Sequence, residues 1–382
     1  MVDRESRTIN SSIAAQSPAE EAPGGATPRP AALPDPWLTL SLFVALVLLA
    51  VPGHPPTQVP LLLLVVVGLM ATSLRYYAGV PAVLVLLFGG LSLRLVYAVP
   101  TSDVLNVTRA AIDTVLAGGN PYGVGYVVST PPGAPFPYGP LTLLWYLPPI
   151  HPRFIELLVA LAILVALAVR GKPLGLAIYA LAPILIVTAT DGSNDTSLGL
   201  LLLLGAALAR RAPAAGAFVF GLAVAFKPSA LAWAPPLVAW AGLPGLLGLL
   251  AGAALLWLPA LLLWGPTAIV DSFVRASRLH SAPVYSLAQV VGPHVPRVVY
   301  DAIAFGGGAI VAAIAMLRVR SLDGVIVWGA LIYIVTLFGG FWASHAYFAA
   351  LAPVVCWHID GWLGHDRRVR WPSLGGRSAG RG

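Results

Sequence analysis

Residues 101–140, TSDVLNVTRAAIDTVLAGGNPYGVGYVVSTPPGAPFPYGP, are the longest run of this chain that cannot sit in hydrocarbon, and they directly follow an apolar segment. Ser102 can cap a helix in which Val104, Leu105, Thr108, Ala111, Ile112, Val115 and Leu116 recur at helical spacing. Asp103, Asn106, Arg109 and Asp113 fall on the other side, so the helix is expected to lie flat on a membrane surface. Gly118 and Gly119 give the left-handed freedom that stops it. Asn120-Pro121 then turns the chain into a Pro- and Gly-rich segment punctuated by Tyr122, Tyr126, Phe136 and Tyr138.

The rest of the chain reads as scaffold around this stretch. With 382 residues, 58% of them hydrophobic and only 10% charged, it has too little polar surface for a soluble globule of this size. The expectation is an all-α polytopic membrane protein. The net charge of +7 does not point to nucleic acid, because the basic residues cluster at the ends of apolar runs, where they report topology. A single cysteine, Cys356, excludes an internal disulfide framework and a cysteine metal cluster. Of 22 basic residues only Lys172 and Lys227 are lysines, a bias that suits a GC-rich bacterial genome.

Residues 1–36 are rich in Ala, Pro, Ser and Glu and read as a disordered cytoplasmic tail rather than a signal peptide. Apolar runs follow at 37–51, 59–74, 80–99, 154–169, 173–189, 197–209, 214–226, 230–240, 243–264, 298–317, 322–338 and 343–358, which gives about twelve spans. The first two, within 37–79, are additional to a core at 80–360, and 361–382 form a basic cytoplasmic tail. Arg75, Arg170 with Lys172, Arg210 with Arg211, Arg318 with Arg320, and Arg367, Arg368 and Arg370 lie at alternate turns. Placing those turns in the cytoplasm satisfies the positive-inside rule, provided that the short apolar piece 141–147 does not cross. The loops 100–150 and 265–297, Asp191-Gly-Ser-Asn-Asp195, Lys227 and His345 then share the outer face of the cell membrane.

Several residues on that face suit chemistry, and each also has a plainer reading. Asp103 faces a cavity under the following loop, or is an acid favoured by a helix N-terminus. Asn194 and Asp195 open a helix whose backbone donors suit an anion, or belong to a solvated turn. Lys227 offers a compact ammonium to a phosphate, or anchors the interface. Arg275, Arg278 and His280 fit an anionic ligand, or form a basic loop touching lipid head groups. His345, beside Trp342 and Tyr347, is a functional group or a member of an interfacial belt. Arg94, within an apolar run, is paired or lines a cavity, or else snorkels to the interface. No phosphate-binding Gly-Lys-Ser/Thr loop, dinucleotide fingerprint, His-Glu-x-x-His or metal-spaced carboxylate set occurs in the sequence.

Taken in order, Ser102-Asp103, the amphipathic helix, Gly118-Gly119-Asn120-Pro121-Tyr122 and Tyr138-Gly139-Pro140-Leu141 resemble the first outer loop of the C-type glycosyltransferase superfamily. The likeness is greatest to glycosyltransferase family 87, the polyprenyl-phosphate-mannose-dependent mannosyltransferases. Gly192-Ser193-Asn194, the stretch from Gly221 to Pro228, Tyr285-Ser286-Leu287 and Trp342 to His345 are similar to later motifs of that family. The chain departs from it at Ser193, where the family has Gln, and in keeping one histidine, His345, of a pair.

The resemblance implies an integral membrane enzyme that moves a sugar, mannose by family, from a polyprenyl-phosphate donor to a lipid-linked or envelope glycan acceptor. Asp103 is then the base, and Lys227 and His345, with Arg275, Arg278 and His280, bind the donor phosphate. Asn120, Tyr122, Tyr138 and Asn194 shape the sugar or acceptor pocket. A single base acting on an activated phosphate ester implies inversion. No metal or cofactor is required, and the partners are membrane lipid, the lipid-linked donor and the glycan acceptor. The rival expectation is a transporter or flippase for a lipid-linked sugar, although such proteins place charge near the midplane and are often built of repeats.

Overall fold

The computed structural model describes residues 80–96, 102–279, 283–292 and 294–362. These residues are helical, joined by loops, with a single isolated bridge between Tyr126 and Ala134. The expected tails and the first two apolar runs lie outside the described residues, apart from Gly361 and Trp362.

Helix α1 (Val80–Val96) leads to the amphipathic α2 (Val104–Leu116). As the spacing predicts, Leu105, Thr108, Ala111 and Ile112 are buried, while Asn106, Arg109 and Asp113 are exposed. The cap differs from the expectation. Asp103 occupies the N-cap without using its side chain, and Ser102 Oγ lies 3.4 Å from the Val104 amide. After the loop, α3 (Pro140–Trp145) rises only ~9 Å, so the apolar piece 141–147 is too short to cross a bilayer as a helix.

Next come α4 (Pro152–Val169), α5 (Pro173–Leu181), α6 (Pro183–Thr188), α7 (Asp195–Ala209) and α8 (Pro213–Phe226). A 3₁₀ segment, Pro228–Trp233, opens α9 (Ala234–Trp264), and α10 (Pro266–Arg278) and the short α11 (Leu287–Val291) follow. The chain closes with α12 (Arg297–Arg318), α13 (Leu322–Phe338) and α14 (Tyr347–Trp362). One apolar core joins α2, α3, α8, α9 and α13, and a second joins α1, α4, α5 and α6. Helices α7 and α14 contribute to both cores and pack against each other.

Three stretches, Pro152–Val169, Pro228–Trp264 and Arg297–Arg318, are long and apolar enough to cross a membrane, which points to a membrane protein. Shorter apolar helices include Asp195–Ala209, Pro213–Phe226 and Leu322–Phe338. The stretch through α9 is not one rod. At Gly242 the backbone leaves the helix, with φ 61° and ψ −148°. Residues eight apart in a straight helix lie ~12 Å from each other. Yet a Cβ on Gly245 would lie only 3.5 Å from Leu237 O, so the chain doubles back at Gly242 and two legs run side by side, as the separate runs 230–240 and 243–264 predict.

The run 173–189, expected as one helix, is broken. Ala182 is extended and Pro183 starts α6, which strips the carbonyls of Tyr179 and Ala180 of helical donors. Arg94 replaces them: Nη2 donates to Tyr179 O at 2.6 Å and Nη1 to Ala180 O at 3.2 Å, with a further bond to Gly90 O at 2.9 Å. The guanidinium also lies 4.8 Å from the centre of the Tyr179 ring. Arg94 therefore does not snorkel; it is fully buried and closes a helix end. At the other end of α5, Asp360 accepts the Leu174 and Gly175 amides, both at 2.9 Å. The anion sits at the helix N-terminus and the cation at its C-terminus, as the helix dipole favours.

Candidate functional site

The Lys227-Pro228 step sets one side of the site. Proline ends α8 and restricts the preceding residue to extended backbone, and Lys227 has φ −143° and ψ 115°. Its ammonium swings toward the start of α7, where Nζ lies 2.7 Å from Asp195 Oδ1 and 3.1 Å from Asn194 Oδ1. The rings of Tyr138 and Tyr347 flank it, with centroids 5.6 and 5.2 Å away. Two of its three N–H donors are thus engaged by oxygens. The same helix end docks the loop between α2 and α3, since Phe226 O accepts the Gly139 amide at 2.9 Å and the Thr142 hydroxyl at 2.6 Å.

The turn before α7 ties the other parts together. Asp191 O accepts the Ser102 amide at 2.8 Å and Gly192 O accepts the Leu105 amide at 2.9 Å, fixing the segment that carries Asp103. Gly192 has φ 96°, and a Cβ there would fall 2.4 Å from Ser102 O, so this junction admits no side chain. Asp103 Oδ2 in turn accepts the Thr130 amide from the loop tip. The tip is organised by Ser129, whose Oγ accepts the Ala134 amide at 2.8 Å, and by the Tyr126 and Ala134 pairing.

Asp191 itself is wholly buried. Oδ1 accepts the Ser193 amide at 2.8 Å, while Oδ2 accepts no hydrogen bond among the described residues and lies 3.4 Å from His345 Nε2. The imidazole stacks edgewise on Tyr285, with centroids 5.4 Å apart. Its segment is held to the second loop by bonds from the Ala343 amide to Val284 O at 2.9 Å and from the Ser286 hydroxyl to Phe341 O at 2.7 Å.

These groups line one cavity of about 1100 Å³, which brings together Asp103, Tyr138, Lys227, Arg278 and His345 from five separate parts of the sequence. Asn194 reaches it through Lys227. Burial, and then the charge of Asp195, push the Tyr138 phenol well above its ordinary range, so it remains a hydroxyl. Phe305, Thr336 and Leu337 of α12 and α13 give the cavity an apolar wall.

Other expected site residues lie elsewhere. Arg275 does not line the cavity and pairs with Asp271 along α10 at 2.8 Å. Asn120 bridges Trp264 O and the Tyr122 amide, both at 2.9 Å, and the buried Tyr122 donates to Tyr138 O at 2.9 Å. Both therefore build the loop rather than the pocket surface, because their polar atoms are consumed by backbone. His280 lies outside the described residues.

Further charged groups line the cavity. The sequence reading noted the turn that carries Asp191 and Asp195 but assigned no role to their carboxylates, and it left out Asp301 and Arg297. Asp191, Asp195 and Asp301 join Asp103, and Arg297 joins Lys227 and Arg278. Four carboxylates thus meet three fixed cations and one imidazole, where a set of free cations was expected. Arg297 lies 3.8 Å from Asp301 and 4.8 Å from the Phe341 ring centre. Deeper, Glu156 of α4 is buried and accepts from the hydroxyls of Tyr146 and Ser197, binding α3 to α7. Among the described residues, no three His, Cys, Asp or Glu side chains converge as a metal site.

Comparison with protein-family models, curated proteins and solved structures finds no match to this chain. The functional reading rests on the geometry of the cavity and on the motif order in the sequence.

Proposed function

We propose that this chain is a multi-pass glycosyltransferase of the cell membrane that transfers a sugar, mannose by motif resemblance, from a polyprenyl phosphate to a lipid-linked or envelope glycan acceptor on the outer face. The observation that carries the reading is the convergence of an acid, an ammonium and an imidazole on one cavity with an apolar wall. A polyprenyl donor brings its own membrane affinity, so the protein needs no nucleotide site. The tail would run along Phe305 and Leu337, and the phosphate would meet Lys227 and His345. Asp103 takes the acceptor hydroxyl proton as the new bond to the anomeric carbon forms from the opposite face. The electron pair of the breaking bond leaves with the phosphate, whose charge the fixed cations stabilise. The product is inverted at the anomeric carbon.

Asp103→Asn keeps the shape of the side chain and removes the base. In proteoliposomes given a radiolabelled polyprenyl-phosphate sugar, it should lower transfer by at least about a hundredfold while leaving the protein monodisperse. Near-normal turnover would remove Asp103 from the mechanism. Movement of label across the bilayer without a new glycolipid would favour a transporter instead.

A further inference from the structure

Asp191 is a buried carboxylate of the cavity that the proposed chemistry does not use, and its surroundings are uneven. One oxygen is satisfied by the Ser193 amide at 2.8 Å; the other accepts no hydrogen bond among the described residues and faces His345 Nε2 at 3.4 Å. A wholly buried carboxylate with an unsatisfied oxygen is costly to keep unless a partner meets it. The available partner is a ring that is itself partly exposed at the cavity. A carboxylate beside one ring nitrogen fixes where the proton sits and which way the other nitrogen points.

We infer that Asp191 is a positioning residue that holds His345 by Nε2, so that Nδ1 is the nitrogen presented to a phosphate-bearing ligand. The role in transfer rests on the glycosyltransferase reading, but the pairing does not. The backbone of Asp191 also accepts the Ser102 amide beside Asp103, so one residue sets the spacing between the proposed base and the imidazole. The sequence hid this, because Asp191 lies in a run that reads equally well as a solvated turn.

The test uses the full-length protein in nanodiscs with two readouts. In the first, His345 is carbethoxylated with diethyl pyrocarbonate at fixed pH and followed by peptide mass spectrometry, with the exposed His151 and His294 as internal references. Asp191→Asn, or Asp191→Ala where Asn impairs folding, should raise the His345 labelling rate severalfold and leave the references unchanged. An unchanged His345 rate overturns the pairing. In the second, transfer from a polyprenyl-phosphate sugar is measured for Asp191→Asn, His345→Ala and the double variant. Asp191→Asn should lose about tenfold to a hundredfold alone and less than about twofold more in the His345→Ala background. Losses that multiply mean that Asp191 acts independently of His345 and refute the positioning role. Wild-type protein that transfers no sugar defeats the glycosyltransferase reading, while the labelling result still decides the pairing.

Discussion

At the scale of single residues, Lys227 shows how a side chain can be conspicuous in sequence and still be half understood. In a chain with only two lysines among 22 basic residues Lys227 stands out, and the extended backbone that the following proline demands explains why its ammonium leaves the helix axis. Its partner Asp195 was not legible, because a helix-opening aspartate is ordinary and nothing local reveals that another helix end will meet it. The pair is buried, so removing one member strands the other's charge, typically at about 3–5 kcal/mol. Lys227→Met should therefore lose both transfer and thermal stability. The double variant Lys227→Met with Asp195→Asn should recover most of the stability, by differential scanning fluorimetry, but none of the transfer. Recovery of both would make Lys227 a purely structural ion.

At the scale of elements, the amphipathic α2 and the short α3 were readable, because hydrophobic period and proline position act locally. The break between α5 and α6 was not read, although Pro183 marks it, since an apolar run of that length looks like one helix. For Arg94, pairing was one expected fate, but its partners were not legible. A lone arginine in an apolar run has no local partner, and its acceptors lie on an element far along the chain. Arg94→Ala should leave two buried carbonyls without donors and destabilise the protein by roughly 2–4 kcal/mol, seen as a lower unfolding midpoint in detergent. Arg94→Lys, with a single ammonium in place of the planar fork, should fall between the two. A midpoint unchanged in Arg94→Ala would mean that water or lipid satisfies the α5 end.

At the scale of the molecule, Asp103, Lys227 and His345 line one cavity, and the alternation of basic turns expects that cavity on the outer face. The pairing of Lys227 and of His345 with buried acids was not anticipated, because charge counting along a sequence says nothing of which groups touch. Single cysteines at 103 and 345, in a Cys356→Ser background, should both react with a membrane-impermeant maleimide added from the same side of sealed vesicles. Labelling from opposite sides would end the proposed arrangement. The elements that frame Lys227 are also short: α7 and α8 rise only ~22 and ~21 Å. The first leg before Gly242 reaches ~24 Å, and only because it begins as the more stretched 3₁₀ form. A hydrocarbon layer is ~30 Å thick, and a bilayer that thins to match these helices is pinched beside them. For a chain inserted as proposed, that dimple would lower the lipid surface toward Lys227, and a carrier's head group would arrive at the ammonium without being lifted out of its own leaflet.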